Sequence, residues 1–220
     1  MFIGHFAVAF AAKKAAPKTS LATLIAASQL VDLLWPLFLM FGWEHARIEI
    51  GNTVVTPLDF YDYPITHSLA GALGWSLLFG GVYYLRKKMP REAVIAGLVV
   101  FSHWLLDLIT HRPDLPLINN ESMKFGLGLW NNFAGTVIVE FGLFAIGIYL
   151  YYSATSAKNK TGTYALVSLL ALLVIIHLGN LFGPPPPDVT MIAAAGNAMW
   201  LFVVWGWWID KNRNAKSMIN

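Results

Sequence analysis

Cysteine is absent from the 220 residues, and only 12% of them are charged. Without cysteine there is no disulfide, no thiolate metal ligand and no cysteine nucleophile; the absence says nothing about redox compartment. Charge is scarce against the roughly 25% usual in soluble domains. Apolar residues make up 57% of the chain, more than one core of this size can hide. These shortages exclude an ordinary soluble domain, a disordered chain and a nucleic-acid-binding module, in spite of a net charge of +3. No internal repeat and no long linker divides the chain, so a single domain over 1–220 is expected.

What is present is a succession of apolar segments, running roughly over 2–16, 20–42, 65–85, 92–110, 127–152, 163–182 and 190–209. They predict an all-α fold, a polytopic membrane bundle of six to seven helices. The first segment reaches only about 22 Å; it would cross a thinned region, lie tilted or be re-entrant. It does not read as a signal peptide, because Lys13 and Lys14 follow the apolar run instead of preceding it. Twelve of the fifteen basic residues lie in alternate connections: Lys13, Lys14 and Lys18; Arg86, Lys87, Lys88 and Arg91; Lys158 and Lys160; Lys211, Arg213 and Lys216. The remaining connections carry Arg47, Arg112 and Lys124 among seven acidic residues. The positive-inside rule then predicts a cytoplasmic-membrane protein with the 43–64, 111–126 and 183–189 connections outside and the C-terminus inside.

On that topology all six histidines fall on the outer side. An ionisable group at hydrocarbon depth is costly unless paired, ligated or facing a polar cavity, so convergence from several helices points to one shared site. The sharpest signal is 102-SHWLLDLITHRPDLPL-117, where His103, Asp107 and His111 recur at four-residue spacing on one helix face. Imidazole and carboxylate suit a divalent ion, and zinc accepts this nitrogen and oxygen set; the competing reading is a buried, hydrogen-bonded His–Asp pair. In 64-PITHSLAG-71, Pro64 and the Thr66–Ser68 step read as a helix start that brings His67 in from above. Asp32 stands one turn before Pro36, which should kink the helix and open a polar cavity. His5 is either an interfacial histidine or a ligand. Glu140 reads as an acceptor behind the site or a protonated packing residue, and Asn131 as a group that orients ligand or substrate. His177 and Asn180 read as packing or hydrogen-bonding residues.

Taken together, 4-GHFAVAFA-11, Asp32, 66-THS-68, 102-SHWLLDLITHRPDLPL-117 and 126-GLGLWNNFAG-135 resemble the YdjM-like membrane-bound metal-dependent hydrolases across most of the chain. The sequence departs from that pattern at Leu34, where the family has a second acidic residue, and at Asp62–Tyr63, where it has a His–Arg pair. A fainter similarity is to zinc-dependent phospholipase C. That likeness implies that Asp32, His67, His103 and Asp107 hold one ion, with Asp107 bridging to a second near His5. No His-x-x-x-Glu completes a third site, so one or two ions are implied.

The expected function is hydrolysis of an ester or phosphoester in a lipid or amphiphilic substrate, at a divalent metal centre, most simply zinc, built mainly by helices within 1–132. His111 or His5 would serve as general base, and Arg112 or Arg47 would neutralise developing negative charge. Two alternatives stay open: an ion-handling transporter, with Glu140 continuing a path inward, and a non-catalytic scaffold whose His/Asp cluster only fastens helices together.

Overall fold

Residues 1–216 are described by a computed structural model; the last four residues of the domain expected over 1–220, and with them the end of the tail expected inside, lie outside the described residues. Helix takes up 69% of the structure, and the strands among the described residues form three short antiparallel pairs. The all-α class therefore stands.

Helix α1 (Ile3–Ala15) is followed by α2 (Leu21–Ser28) and α3 (Leu30–Phe41). A hairpin of β1 (His45–Ile48) and β2 (Leu58–Asp62) caps the end of α3 and leads into a single turn, α4 (Pro64–His67). Helices α5 (Leu69–Lys87) and α6 (Pro90–Thr110) then run down and back. The short pair β3 (Leu115–Pro116) and β4 (Lys124–Phe125), with a 3-10 turn at Leu129–Asn131, completes the cap. Below it lie α7 (Phe133–Ala154), β5 (Thr155–Ala157), α8 (Lys160–Phe182), α9 (Val189–Ala198), α10 (Trp200–Asn212) and β6 (Arg213–Ala215). The expected helix start near His67 is in fact two starts. Pro64 opens α4, the Ser68 hydroxyl accepts from the Gly71 amide to cap α5, and the break between them leaves His67 at the end of a turn.

Four stretches are long and apolar enough to cross a membrane: α6, α7, α8 and the Val189–Asn212 stretch of α9 and α10. A fifth arises if α2 and α3, bent by 56° at their junction, form one broken span. By length and composition, four or five of the six to seven membrane helices expected from the sequence qualify as spans. Helix α5 has the length, but its glycines, Trp75, Ser76 and the Tyr83–Tyr84 pair dilute its apolar character. Exposed Leu77, Ile138, Ile175 and Leu201 line the outsides of α5, α7, α8 and α10. Apolar surface of this kind suits an integral membrane protein better than one facing water.

Helix α1 is neither a lipid-facing span nor a surface element. Ile3, Phe6, Ala9 and Phe10 are fully buried, and the helix forms the axis of the main core with Phe144, Leu166, Leu169 and Phe202 around it. Its alanine-rich face explains the fit: at Gly147 of α7 a Cβ would stand 2.4 Å from the Ala7 carbonyl oxygen. Close approach of two backbones at a residue with no side chain is a recurrent membrane packing device. Gly147→Val should therefore separate α1 from α7 and cost about 1–3 kcal/mol, read as a lower unfolding midpoint in detergent.

The expected kink at Pro36 is placed elsewhere. Pro36 lies within α3 and packs against Gly196 of α9, while the chain bends at Gln29, where no proline or glycine stands. At the bend, the carbonyl of Ser28 accepts a hydrogen bond from His103 Nδ1 at 2.8 Å. A side chain of α6 thus satisfies backbone at the interruption, as irregular backbone at membrane depth requires.

Candidate metal centre

Helix α6 supplies His103 and Asp107 from successive turns of one face, and both are buried. The bend before α3 places Asp32 in the first turn of that helix, opposite His103. The break at Ser68 places His67 above both carboxylates. His103 Nε2 is 3.1 Å from Asp107 Oδ2 and 3.6 Å from Asp32 Oδ1. His67 Nε2 is 3.4 Å from Asp32 Oδ1 and 3.9 Å from Asp107 Oδ2. Four donors around a tetrahedral ion at bonds of about 2.0–2.1 Å would stand about 3.3–3.4 Å apart. The four carboxylate–imidazole separations, 3.1–3.9 Å, bracket that value.

Three observations test the fit of a cation. His103 Nε2 is buried and has no hydrogen-bond partner, although two carboxylates flank it. A ring nitrogen set between two acids is where a ligand stands, and Asp107 Oδ2 approaches it to 3.1 Å. Each histidine is also held by its other nitrogen, His103 Nδ1 on the Ser28 carbonyl and His67 Nδ1 on the Thr66 hydroxyl at 2.6 Å, which leaves Nε2 for an ion. Finally, His5, His103 and Asp107 form a second set of converging donors beside Asp32, His67 and His103. His5 Nε2 lies 3.0 Å from Asp107 Oδ1, and its ring stacks on His103 with centroids 3.5 Å apart. The α-amino group of Met1 lies 2.6 Å from the same oxygen. The residues fit a divalent ion, with His103 common to both sets and Asp107 facing His5 through one oxygen and His103 and His67 through the other.

All five residues expected as ligands, His5, Asp32, His67, His103 and Asp107, are brought together. The groups expected to act beside them are not all there. His111 is: its Nε2 is 3.9 Å from Asp107 Oδ1, and its Nδ1 is bonded to Asp114 Oδ1 at 2.9 Å. Trp130 covers its ring at 4.3 Å. Arg112 is already neutralised, paired with Asp59 on β2 and with Asp114. It locks the hairpin onto the end of α6 and is not free to meet a developing anion. Arg47 is exposed and pairs with Asp59 and Glu49. Asn131 sits exposed in the 3-10 turn and makes no side-chain hydrogen bond to the cluster among the described residues. Glu140 acts as an acceptor behind the site: one carboxylate oxygen takes the amides of Phe2 at 2.9 Å and Gly4 at 3.2 Å. His177 is buried between Phe2 and Phe141 with neither ring nitrogen bonded.

Several residues that build the site were not singled out in the sequence. Glu44, fully buried beyond the end of α3, accepts from the Thr66 amide at 2.8 Å and the Thr66 hydroxyl at 2.7 Å. Burial pushes its carboxyl above the usual range, while His67 and the two Thr66 bonds pull it back. Tyr63 donates to Asp114 at 2.9 Å; burial, with Asp114 beside it, holds the phenol well above its ordinary value, so it remains a donor. Asp114 could have been found, since it lies three residues after His111 in the same motif. Glu44 gave no local signal, being one acid among several in an outer connection.

The bundle defines a helical protein compatible with an integral membrane setting, with buried His/Asp groups that could hold a metal ion. Compared with family descriptions, curated proteins and solved structures, the chain matches none.

Proposed function

We propose that this protein is a metal-dependent hydrolase of the YdjM-like kind, cleaving an ester or phosphoester of a lipid or amphiphilic molecule near the outer face of the cytoplasmic membrane. The observation that carries the reading is the set of four donor atoms from Asp32, His67, His103 and Asp107, with neighbouring separations of 3.1–3.9 Å and an uncommitted His103 nitrogen. When bound, one or two divalent ions, zinc by the donor chemistry, supply Lewis acidity that polarises a scissile oxygen and acidifies water. The protein's own groups supply the rest. His111, oriented through Asp114, presents Nε2 beside the cluster as a proton acceptor or donor. Asp32 has a side chain 26% exposed while the other donors are at most 6% exposed, so approach runs past α3. Asp32 stands on the apolar helix α3, which favours a substrate with a hydrocarbon portion. The basic connections lie at the end of the helices remote from the cluster, as Lys13, Thr19 and Asp210 meet there, which supports a site facing outside.

The transport alternative gains no support from Glu140, whose carboxylate holds the start of α1 instead of lining a path. The test is hydrolysis of short-chain phospholipids and phosphomonoesters by the detergent-solubilised protein, stripped of metal and reloaded with zinc. Chelator-sensitive turnover is expected, and His111→Ala should retain zinc while losing about 10²–10⁴-fold in rate. Absence of stoichiometric metal together with absence of turnover overturns the proposal in favour of a scaffold.

A further inference from the structure

The hydrogen bonds above His67 form a directed chain. The two oxygens of Glu44 receive the amide and the hydroxyl of Thr66, and the same hydroxyl contacts His67 Nδ1. A threonine hydroxyl has one proton. With that proton given to Glu44, its oxygen can only accept from His67, so Nδ1 carries the ring hydrogen and Nε2 keeps its lone pair. That lone pair faces Asp32 and Asp107. Glu44 is fully buried and Thr66 equally so, so water does not compete for either group.

On the metal-centre reading above, we infer that Glu44 and Thr66 are positioning residues which act through His67 to set its tautomer and fix its ring for ion binding. The inference reaches beyond the donor set to the cap. Glu44 lies between the left-handed Gly42 that ends α3 and the first residue of β1, so the base of the hairpin and the ion-binding imidazole are joined through three hydrogen bonds. Seating the hairpin thereby prepares the ligand, and an ion on His67 holds the hairpin base in place.

Two substitutions break the chain in different ways. Thr66→Val removes the hydroxyl at nearly constant volume. Glu44→Gln keeps the shape and reverses one donor: an amide NH2 facing the Thr66 hydroxyl turns that hydroxyl toward His67 Nδ1 and selects the wrong tautomer, and the flipped amide clashes with the Thr66 N–H. Cobalt(II) serves as probe on the full chain in detergent, with affinity from titration and ligand geometry from visible absorption. Losing such an outer partner typically costs 10–100-fold in metal affinity. Both variants should bind cobalt about 10–100-fold more weakly and with an altered spectrum, and Thr66→Ser should restore both. Unchanged affinity and spectrum in Thr66→Val and Glu44→Gln, with wild type binding cobalt, overturns the inference. Failure of wild type itself to bind cobalt overturns instead the metal-centre reading beneath it. Should Thr66→Val not fold, Glu44→Gln against wild type and Thr66→Ser decides the matter.

Discussion

Asp107→Asn is expected to abolish stoichiometric zinc binding and, with it, all zinc-dependent hydrolysis. The substitution keeps shape and volume but replaces one carboxylate oxygen by a nitrogen that donates and cannot ligate. Asp107 has no side left free to absorb that change. One oxygen faces His5 and the Met1 amine, and the other faces His103 and His67. In either amide orientation an imidazole loses the carboxylate oxygen it faces, His5 on one side or His103 and His67 on the other, and the net charge of the cluster rises by one. Outer-shell losses alone reach about 100-fold in affinity, and loss of an acidic donor itself should exceed that. The measurement is metal content of protein purified in zinc, together with the rise in unfolding midpoint that zinc gives. A ligand bound only to the native state stabilises by RT ln(1 + [L]/Kd), so that rise should vanish in the variant. Retention of equimolar zinc by Asp107→Asn would sink the assignment of the centre.

Glu140→Ala should give the largest loss of stability without the same loss of metal. Its carboxylate accepts two amides at the start of a helix that is buried along most of its length. Those donors have no intrahelical partner; the Gly4 amide is buried and the Phe2 amide partly so. Stranding a buried donor costs about 1–3 kcal/mol, so a total of about 3 kcal/mol is reasonable. For a chain of this size that corresponds to a fall of roughly 6–12 °C in unfolding midpoint. Glu140→Gln keeps one acceptor oxygen and should lose less than half as much. Asp32, His67 and His103 come from α3, α4 and α6, so zinc held by that set should weaken by less than about tenfold, whereas an ion shared with His5 of α1 should be lost with the seating of the helix. An unchanged midpoint in Glu140→Ala would show that α1 is seated by apolar packing alone.

How far the sequence revealed this arrangement depends on the range of the signal. His103 and Asp107 were legible because a four-residue spacing on a helix fixes a shared face whatever surrounds it. Asp32, His67 and His5 were legible by depth, since an ionisable residue within an apolar segment demands a polar partner. Pairings between connections were not legible: nothing in the string marks Glu44 as the acceptor for Thr66, or Asp59 as the partner that occupies Arg112. The bend at Gln29 was also hidden. Pro36 carried the conspicuous signal, but a proline inside an apolar helix can be accommodated by a glycine on its neighbour, here Gly196. Segment length misled in the case of α1, because an alanine-rich stretch too short to span lipid reads the same whether it lies at the surface or at the axis.

The bond between His103 Nδ1 and the Ser28 carbonyl has an implication for how the site can be dissected. The anchor of a central imidazole is a peptide group, and peptide groups survive every exchange of side chain. Alanine at position 28 would leave it in place, so a scan of the protein by substitution would register Ser28 as tolerant while the oxygen it contributes stays indispensable. What that oxygen contributes can be reached only by altering the backbone itself, for instance by exchanging the amide that follows residue 28 for an ester, which weakens the carbonyl as an acceptor without touching any side chain.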